Sequence, residues 1–221
     1  MTKFDGLLVV FEGPECGGKS TQIKSIKEWL ELEGLDVVAT REPGGSEISE
    51  AIGSLLRNPD YKDMTPETEM FLFQASRAQF CKQVLRPHLE SGKVVLLDRF
   101  KDSSVVYQGG VRELGLELIK ELNSISTKGI VPDISYLLDL PVEETMRRIR
   151  KSGKNERIDN ESEEFHRKVR EYYLSVAKTD KWIVIDATKD IPTVLGELKR
   201  NIESNLLSRG FLETSRLGKE R

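Results

Sequence analysis

The stretch "VVFEGPECGGKST", residues 9–21, decides the fold of this chain. Its apolar start predicts a buried strand, and the residues from Ser20 onward predict a helix. Three glycines and one lysine fall at the junction. Residues 13–20 match the Walker A pattern G-x-x-x-x-G-K-[ST]. In this pattern backbone N–H groups and the positive end of the helix dipole surround an anion, so the stretch predicts a phosphate-binding loop between a strand and a helix.

Individual contacts with a nucleoside triphosphate can be predicted from positions in this loop. Lys19 is expected to reach the β- and γ-phosphates, and the Ser20 hydroxyl is expected to bind Mg²⁺. The predicted nucleotide-binding residues are Gly13, Pro14, Glu15, Cys16, Gly17, Gly18, Lys19, Ser20 and Thr21. The alternative, a plain glycine-rich turn, gives Lys19 no reason to be there. The loop alone does not separate a kinase from a GTPase or an ATPase.

The composition excludes several classes of protein. The chain has 221 residues, 32% of them charged and 38% hydrophobic, with a formal net charge of −3, which indicates a globular domain with no general nucleic-acid partner. No apolar run approaches the ~20 residues that span a bilayer, so no membrane partner is expected. Two distant cysteines, Cys16 and Cys81, indicate no disulfide framework. The N-terminal apolar run is interpreted as a strand rather than a signal peptide, and the cytoplasm is the expected location.

Short apolar runs alternate with helical patterns along the chain. The predicted strands are Leu7–Phe11, Val37–Ala39, Val94–Leu97, Ile134–Leu140 and Trp182–Ile185. One long helix is predicted over 66–90, with Thr65 as its N-cap and Gly92 after its end. This alternation predicts a three-layer α/β fold, with a five-stranded parallel sheet flanked by helices. We expect a single domain over 1–207 and a polar tail over 208–221.

Two further stretches place charged residues at predicted strand ends. In "VVLLDRF", residues 94–100, Asp98 can hold Mg²⁺ through water and Arg99 can contact phosphate; a surface ion pair is the alternative. In "TREPGGSE", residues 40–47, Arg41 precedes a Pro-Gly-Gly turn. Open α/β sheets bind ligands at this carboxyl edge, although a simple turn also explains the proline and glycines.

The stretch "RRIRKSGKNER", residues 147–157, is dense in arginine and lysine around one glycine. A solvated helix face is the usual interpretation of such a run. Because the whole chain is slightly acidic, an anionic partner is the other interpretation. Residues 147–160 are then a mobile basic lid that closes over the transferring phosphates.

These motifs, taken in order, resemble the thymidylate kinases, a family of P-loop nucleoside monophosphate kinases. The resemblance covers about Leu7 to Thr188. It depends on the glycine-rich loop, "TREPGG", "FLFQASRAQ", "DRF" followed by "SSVVYQGG", "PDISYLLDL", the basic lid with "ERIDNES", and "IDAT". It implies the P-loop kinase fold, phosphoryl transfer from ATP to dTMP giving dTDP and ADP for dTTP synthesis, Mg²⁺ as cofactor, and a homodimer.

The resemblance also implies roles for residues of the acceptor site. Phe73 would stack on thymine and Arg77 would bond to its edge, while Arg41 and Arg99 would hold the phosphate. The dTMP-binding residues implied in this way are Glu15, Arg41, Pro43, Phe73, Arg77, Arg99, Ser103, Ser104, Tyr107 and Gln108. Within this set, Glu15 would contact the 3′-hydroxyl or the metal shell, and Tyr107 would crowd a 2′-hydroxyl.

The same resemblance concerns the donor side and the lid. Thr188 would lie beside the adenine of ATP. The lid arginines Arg148, Arg150 and Arg157 would neutralise the moving phosphoryl group together with Lys19 and Arg99. One customary lid arginine is Ser152 here, and Lys151 and Lys154 are the candidates to compensate. Lysine cannot form the bidentate contact of arginine, so the cation that completes the site is left open.

Other functions are compatible with parts of the pattern. A sibling kinase for another monophosphate or a deoxynucleoside would share the loop. An NTP-dependent switch or binding module would share it too, but the guanine-reading N-K-x-D of GTPases does not occur. The second pKa of a phosphate monoester, near ~6, makes the acceptor a dianion at pH 7. No general base is then needed, and neither His88 nor His166 is assigned a catalytic role.

Overall fold

The computed structural model describes residues 4–153 and 155–212, and the chain forms one parallel sheet within them. Its strands are β1 Leu7–Glu12, β2 Val37–Arg41, β3 Val94–Asp98, β4 Ile134–Asp139 and β5 Ile183–Asp186, in the order β2-β3-β1-β4-β5. The predicted strands and their parallel arrangement are confirmed. β1, β2 and β3 continue past their apolar runs to a charged residue, so Glu12, Arg41 and Asp98 close them at the same edge of the sheet.

Helices connect the strands and cover both faces of the sheet. They are α1 Lys19–Leu32, α2 Glu47–Arg57, α3 Pro66–Phe80, α4 Arg86–Glu90, α5 Lys101–Ser104, α6 Leu116–Thr127, α7 Val142–Ser152, α8 Glu163–Thr179 and α9 Ile191–Ser208. Two π-helical segments, Cys81–Leu85 and Val105–Val111, and a 3-10 turn, Ile158–Asn160, complete the described elements.

The helix predicted over 66–90 is one helical path with a local change of pitch. The Thr65 hydroxyl accepts a hydrogen bond from the Thr68 N–H and caps the path, as predicted. The π-helical segment Cys81–Leu85 joins α3 to α4. Pro87 follows this segment and has no N–H to donate to the turn before it, which favours the wider pitch there. The path stops before Gly92, whose φ is 77°.

Alternate residues of β1 are buried in different layers. Leu7, Val9 and Phe11 belong to an apolar cluster with α1 and α9, while Leu8 and Val10 belong to a second cluster with α3 and α4. The sheet is therefore covered on both faces, as its near-continuous apolar strands require. Phe211 and Leu212, in the predicted polar tail, also pack against the first cluster; residues 213–221 lie outside the described part.

The strand register brings the carboxyl ends of β1, β2 and β3 together. Asp98 of β3 pairs with Phe11 on one side and with Arg41 on the other. The loop that follows β1 therefore begins beside Arg41 and Asp98, although these residues are far apart in sequence. Over the described residues, no helix has the length and apolar character needed to cross a bilayer.

Candidate active site

The glycine-rich loop Gly13–Ser20 curls at the carboxyl end of β1 and leads into α1. Gly13 has φ 138°, and a Cβ there would lie 2.6 Å from the Leu138 carbonyl oxygen. Gly18, which precedes the first residue of α1, has φ 90°. Neither position accepts a side chain without strain, so the glycines of the motif are required by backbone geometry. The loop thereby directs the N-terminus of α1 towards the edge of the sheet.

Lys19 is almost fully buried within this loop, at 7% exposure. Its ammonium donates to the carbonyl oxygens of Gly13, at 3.0 Å, and Pro14, at 2.8 Å. Burial and, to a smaller extent, Arg99 lower the pKa of Lys19 to about 8, although Asp98 and Glu15 act in the other direction. The charged form of Lys19 is therefore less favoured than that of an exposed lysine, and an anion bound in the loop would stabilise it.

Ser20 and Asp98, the two residues predicted to serve a metal, are in contact. The Ser20 hydroxyl donates to Asp98 Oδ2 at 2.8 Å. Asp98 closes β3, next to β1 in the sheet, which explains how residues 78 positions apart meet. A hydroxyl and a carboxylate oxygen side by side are hard ligands of the kind that Mg²⁺ prefers.

A cavity of about 600 Å³ opens above the carboxyl edge of the sheet. The predicted site residues that line it are Glu15, Cys16, Gly17, Gly18, Lys19, Ser20, Thr21, Arg41, Pro43, Phe73, Arg77, Asp98, Arg99, Ser103, Ser104, Tyr107 and Gln108. Residues from the loop, β2, α3, β3, α5 and the second π-helical segment therefore meet in one space. Its volume is within the range usual for small-molecule sites.

Arg99 and Glu15 form the centre of one cavity wall. Arg99 has φ 65°, which is unusual for a residue with a side chain, and its Nη2 donates to Glu15 Oε1 at 2.9 Å. The Tyr107 hydroxyl donates to the same oxygen at 2.6 Å. Burial by itself raises the pKa of Glu15, but Arg99, His166 and Tyr107 outweigh it and hold the pKa well below its usual range. Glu15 is therefore an ionised acceptor that orients both Arg99 and Tyr107.

Arg77 is held rigidly at another part of the cavity lining. Its side chain is 1% exposed; Nε donates to Glu42 Oε2 at 2.8 Å, and Nη1 donates to Asn123 Oδ1 at 2.8 Å. Nη2 donates to the Ser104 hydroxyl at 3.0 Å. Burial raises the pKa of Glu42 to about 7, although Arg77 acts in the other direction. Phe73, one turn earlier on α3, lines the cavity beside Arg77.

The lid carries its predicted arginines away from the cavity wall. The Arg157 guanidinium donates to Glu69 of α3 and, through Nε, to the Leu56 carbonyl oxygen at 3.1 Å. Arg150 is exposed near the end of α7. The lid residues that line the cavity are Ser152, Glu156, Ile158 and Asp159. In this arrangement the predicted basic lid presents acidic side chains to the cavity and uses Arg157 to dock; Lys154 lies outside the described residues.

Arg148 lies beside the glycine-rich loop and does not line the cavity. Its Nη1 donates to the Cys16 carbonyl oxygen at 3.3 Å and its Nη2 to the Ala187 carbonyl oxygen at 3.0 Å. This arginine therefore bridges the glycine-rich loop and the loop after β5. Thr188 is in that second loop, where its hydroxyl and N–H both bind Asp186.

Several site residues were not predicted from the sequence. Glu12, fully buried, accepts hydrogen bonds from the Phe100 N–H at 2.8 Å and the Ser103 hydroxyl at 2.6 Å. His166 is also buried, with Nδ1 3.6 Å from Glu15 Oε2. Glu42, Glu69, Asn123 and Tyr173 hold other site residues through hydrogen bonds. The sequence offers one signal for Glu12: like Asp98, it is a carboxylate at the end of an apolar strand.

Fold and site together define a P-loop nucleotide-binding protein: a parallel sheet, a glycine-rich loop with a buried lysine, and an aspartate at a neighbouring strand end. Comparison with known proteins identifies the family. Residues 11–197 match the thymidylate kinase family model. The chain is 44% identical to a thymidylate kinase of Thermosipho melanesiensis over 201 residues, which cover 90% of this chain and 99% of the relative.

Other relatives agree with this match. A thymidylate kinase of Desulfosudis oleivorans is 41% identical over 206 residues, covering 89% of this chain and 96% of the relative. One of Thermosipho africanus is 39% identical over 203 residues, covering 91% and 100%. The chain belongs to the thymidylate kinase family, whose members phosphorylate dTMP to dTDP with ATP. The resemblance seen in the sequence is confirmed.

Proposed function

We propose that this chain transfers the γ-phosphoryl group of ATP to dTMP, giving dTDP and ADP for dTTP synthesis. The observation that carries the proposal is a single cavity that contains both the Lys19 loop and the Arg99–Glu15 pair. The loop provides a place for the phosphates of a donor, and the arginines opposite provide a place for a second anion. Phe73 and Arg77 lie where a planar base can stack and be hydrogen-bonded.

Positioning and charge stabilisation account for catalysis in this proposal. The dTMP phosphate is largely a dianion at pH 7 and already a nucleophile, so no side chain has to remove a proton. Arg41 and Arg99 hold this phosphate in line with the γ-phosphoryl group, and Lys19 neutralises charge that develops on the donor. Tyr107, fixed by Glu15, faces the sugar and favours deoxyribose.

The residues present fit a Mg²⁺ ion at the Ser20–Asp98 pair. No cluster of three or more His, Cys, Asp or Glu side chains suited to a metal occurs in the described residues. An ion here would take only Ser20 and Asp98 from the protein, with phosphate and water oxygens as its other ligands, which is typical of Mg²⁺. When bound, Mg²⁺ would neutralise charge on the β- and γ-phosphates.

The lid has two proposed tasks. Arg157, docked on Glu69, keeps the lid over the cavity and excludes water that would otherwise take the phosphoryl group. Arg148 steadies the donor loop from outside. Arg150 approaches the phosphates only when the lid moves, and the replacement of a customary arginine by Ser152 places more of the charge stabilisation on Lys19 and Arg99.

An acceptor panel tests the proposal. ADP release is measured with dTMP, dUMP, dCMP, AMP and shikimate at equal concentration. We expect dTMP to give the highest kcat/KM, and dUMP to be about fourfold lower, because burying one methyl group is worth ~0.8 kcal/mol. Higher turnover with AMP, or no ADP release with dTMP, would refute the proposed reaction.

We also propose a cytoplasmic homodimer. Four large apolar side chains are exposed on the packed pair α3 and α6: Phe71 at 61%, Leu116 at 38%, Leu118 at 45% and Ile125 at 73%. A symmetric contact through this face would bury them. Light scattering of the purified chain tests this; a monomer at micromolar concentration would contradict it.

A further inference from the structure

The end of α2 places an additional guanidinium on the cavity wall. Arg57, the last residue of α2, lines the cavity with a side chain that is 28% exposed. Its Nη1 donates to the Pro43 carbonyl oxygen at 3.2 Å, and its Nη2 lies 3.6 Å from Glu50 Oε2. These two contacts engage at most two of the five N–H groups of an arginine, so the guanidinium retains donors for an anion.

Gly53, one turn earlier in α2, makes this position possible. A Cβ at Gly53 would lie 2.8 Å from Arg57 Nη1 and 3.2 Å from the Pro43 carbonyl oxygen. The Arg57 side chain therefore occupies space that any other residue at position 53 would take. Glycine weakens the interior of a helix, and the accommodation of Arg57 is a physical reason for its presence here.

The charges on this wall leave an excess of positive charge. Glu50 Oε2 lies 2.9 Å from Arg41 Nη2 and also faces Arg57, so two guanidiniums share one carboxylate. Burial by itself raises the pKa of Glu50, but the Gly45 N–H, Arg41 and Arg57 together outweigh it, lower the pKa and favour the ionised carboxylate. Two cations with one anion attract a further anion, and Arg41 and Arg57 are both directed at the cavity.

The lid docks on the same residue. The Arg157 N–H donates to the Arg57 carbonyl oxygen at 3.0 Å, and Arg157 Nε donates to the carbonyl oxygen of Leu56. Arg57 therefore lies where the lid meets the part of the cavity wall that carries Arg41. An anion bound there would be covered by the lid.

We infer that Arg57 is a third arginine of the acceptor-phosphate site, which contacts the phosphate of dTMP together with Arg41 and Arg99. The inference rests on the proposed function, because it takes dTMP as the acceptor. Gly53 is the residue that lets the guanidinium fold back onto the wall. Arg57 is thus a substrate-binding residue, and Gly53 acts only through it.

Calorimetric titration with dTMP and with thymidine, which lacks the phosphate, tests this. For Arg57→Ala we expect the Kd for dTMP to rise ~30-fold and the Kd for thymidine to stay within twofold. Gly53→Ala should raise the Kd for dTMP about fivefold, because the new methyl group displaces the guanidinium. Arg167→Ala, which removes an exposed arginine paired with Glu163, is the matched control and should change neither.

Each other result overturns the inference. If Arg57→Ala weakened the binding of dTMP and thymidine equally, Arg57 would only support packing. If it weakened only the binding of an ATP analogue, Arg57 would belong to the part of the cavity that binds ATP. Unchanged dTMP binding in Arg57→Ala would exclude any contact. Failure of the proposed function is distinguishable: a wild-type chain that binds dTMP without phosphorylating it refutes the reaction, while the comparison of dTMP with thymidine still decides the role of Arg57.

Discussion

The two walls of the cavity are built in different ways. The donor wall is contiguous in sequence: Gly13–Ser20 forms it, and Lys19 is held by carbonyl oxygens of its own loop. The acceptor wall is assembled from side chains of distant segments: Arg77 pairs with Glu42, 35 positions away, and Arg99 pairs with Glu15 of the loop, 84 positions away. The shape of the donor wall depends on the positions of glycines in one loop. The shape of the acceptor wall depends on ion pairs between residues that are far apart in sequence.

The carboxylates of the acceptor wall explain how buried arginines are tolerated there. Glu15 holds Arg99, Glu42 holds Arg77, and Glu69 holds Arg157. An unpaired buried charge costs several kcal/mol, and removing one partner of a buried pair typically destabilises a protein by ~3–5 kcal/mol. These pairs therefore pre-organise the arginines, whereas the donor loop needs no such support.

The largest expected effect concerns the donor wall. Lys19→Ala removes the cation at the base of the loop, and we expect kcat to fall at least ~100-fold because charge on the transferring phosphoryl group is no longer neutralised. Steady-state ADP release with dTMP measures this. Lys24→Ala, an exposed lysine of the same helix that pairs with Glu28, is the control. Turnover of Lys19→Ala within tenfold of wild type would contradict the assignment of the donor loop.

A substitution in the acceptor wall separates binding of the base from chemistry. Phe73→Ala removes the aromatic ring in the cavity, and we expect the KM for dTMP to rise ~30-fold while the KM for ATP stays within twofold, because stacking on a base is worth ~1–3 kcal/mol. Tyr61→Ala, which removes an aromatic ring that is 41% exposed and does not line the cavity, should leave the KM for dTMP unchanged. Equal KM values for dTMP in both variants would place the base elsewhere.

The contact between acceptor wall and lid is tested at Glu69. Its carboxylate accepts hydrogen bonds from Gln108, Arg112 and Arg157, so it joins a cavity residue to the lid. Glu69→Gln should lower kcat/KM about tenfold and raise the share of ATP that is hydrolysed by water, since the lid is held less firmly. The ratio of phosphate to dTDP measures this share. Glu67→Gln, exposed on the same helix, is the control, and an unchanged ratio would exclude the docking role.

The smallest expected effect is a pH dependence confined to the donor wall. The pKa of Lys19, about 8 in the free protein, means that the lysine loses its charge as the pH rises through 8. We expect kcat/KM for ATP to fall about fourfold between pH 7 and pH 8.5, because kcat/KM reports the free enzyme. kcat at saturating ATP should fall less, since bound phosphates stabilise the ammonium. A parallel decline of both parameters would assign the pH dependence to another group.

The fold was largely predictable from the sequence, because strands covered on both faces must be apolar along their length. The phosphate-binding loop was predictable because a short motif between a strand and a helix identifies it. Ser20 and Asp98 were each predicted to serve Mg²⁺, but only the strand order shows that they are in contact. The orientation of the Arg157 side chain could not be predicted from the sequence. Whether it enters the cavity or turns to Glu69 depends on a buried carboxylate in α3, and neither residue type nor spacing reveals that carboxylate.

The sequence by itself determined the α/β architecture, the phosphate-binding loop and, through the order of its motifs, the family. Only the tertiary structure decided which carboxylate holds each arginine, that Arg57 folds over Gly53 into the cavity, and that the lid presents Glu156 and Asp159 to it. The physical reason is the distance along the chain between the residues that interact. Backbone conformation and strand burial follow from neighbouring residues, whereas the pairing of buried charges is settled only when distant segments pack and exclude water.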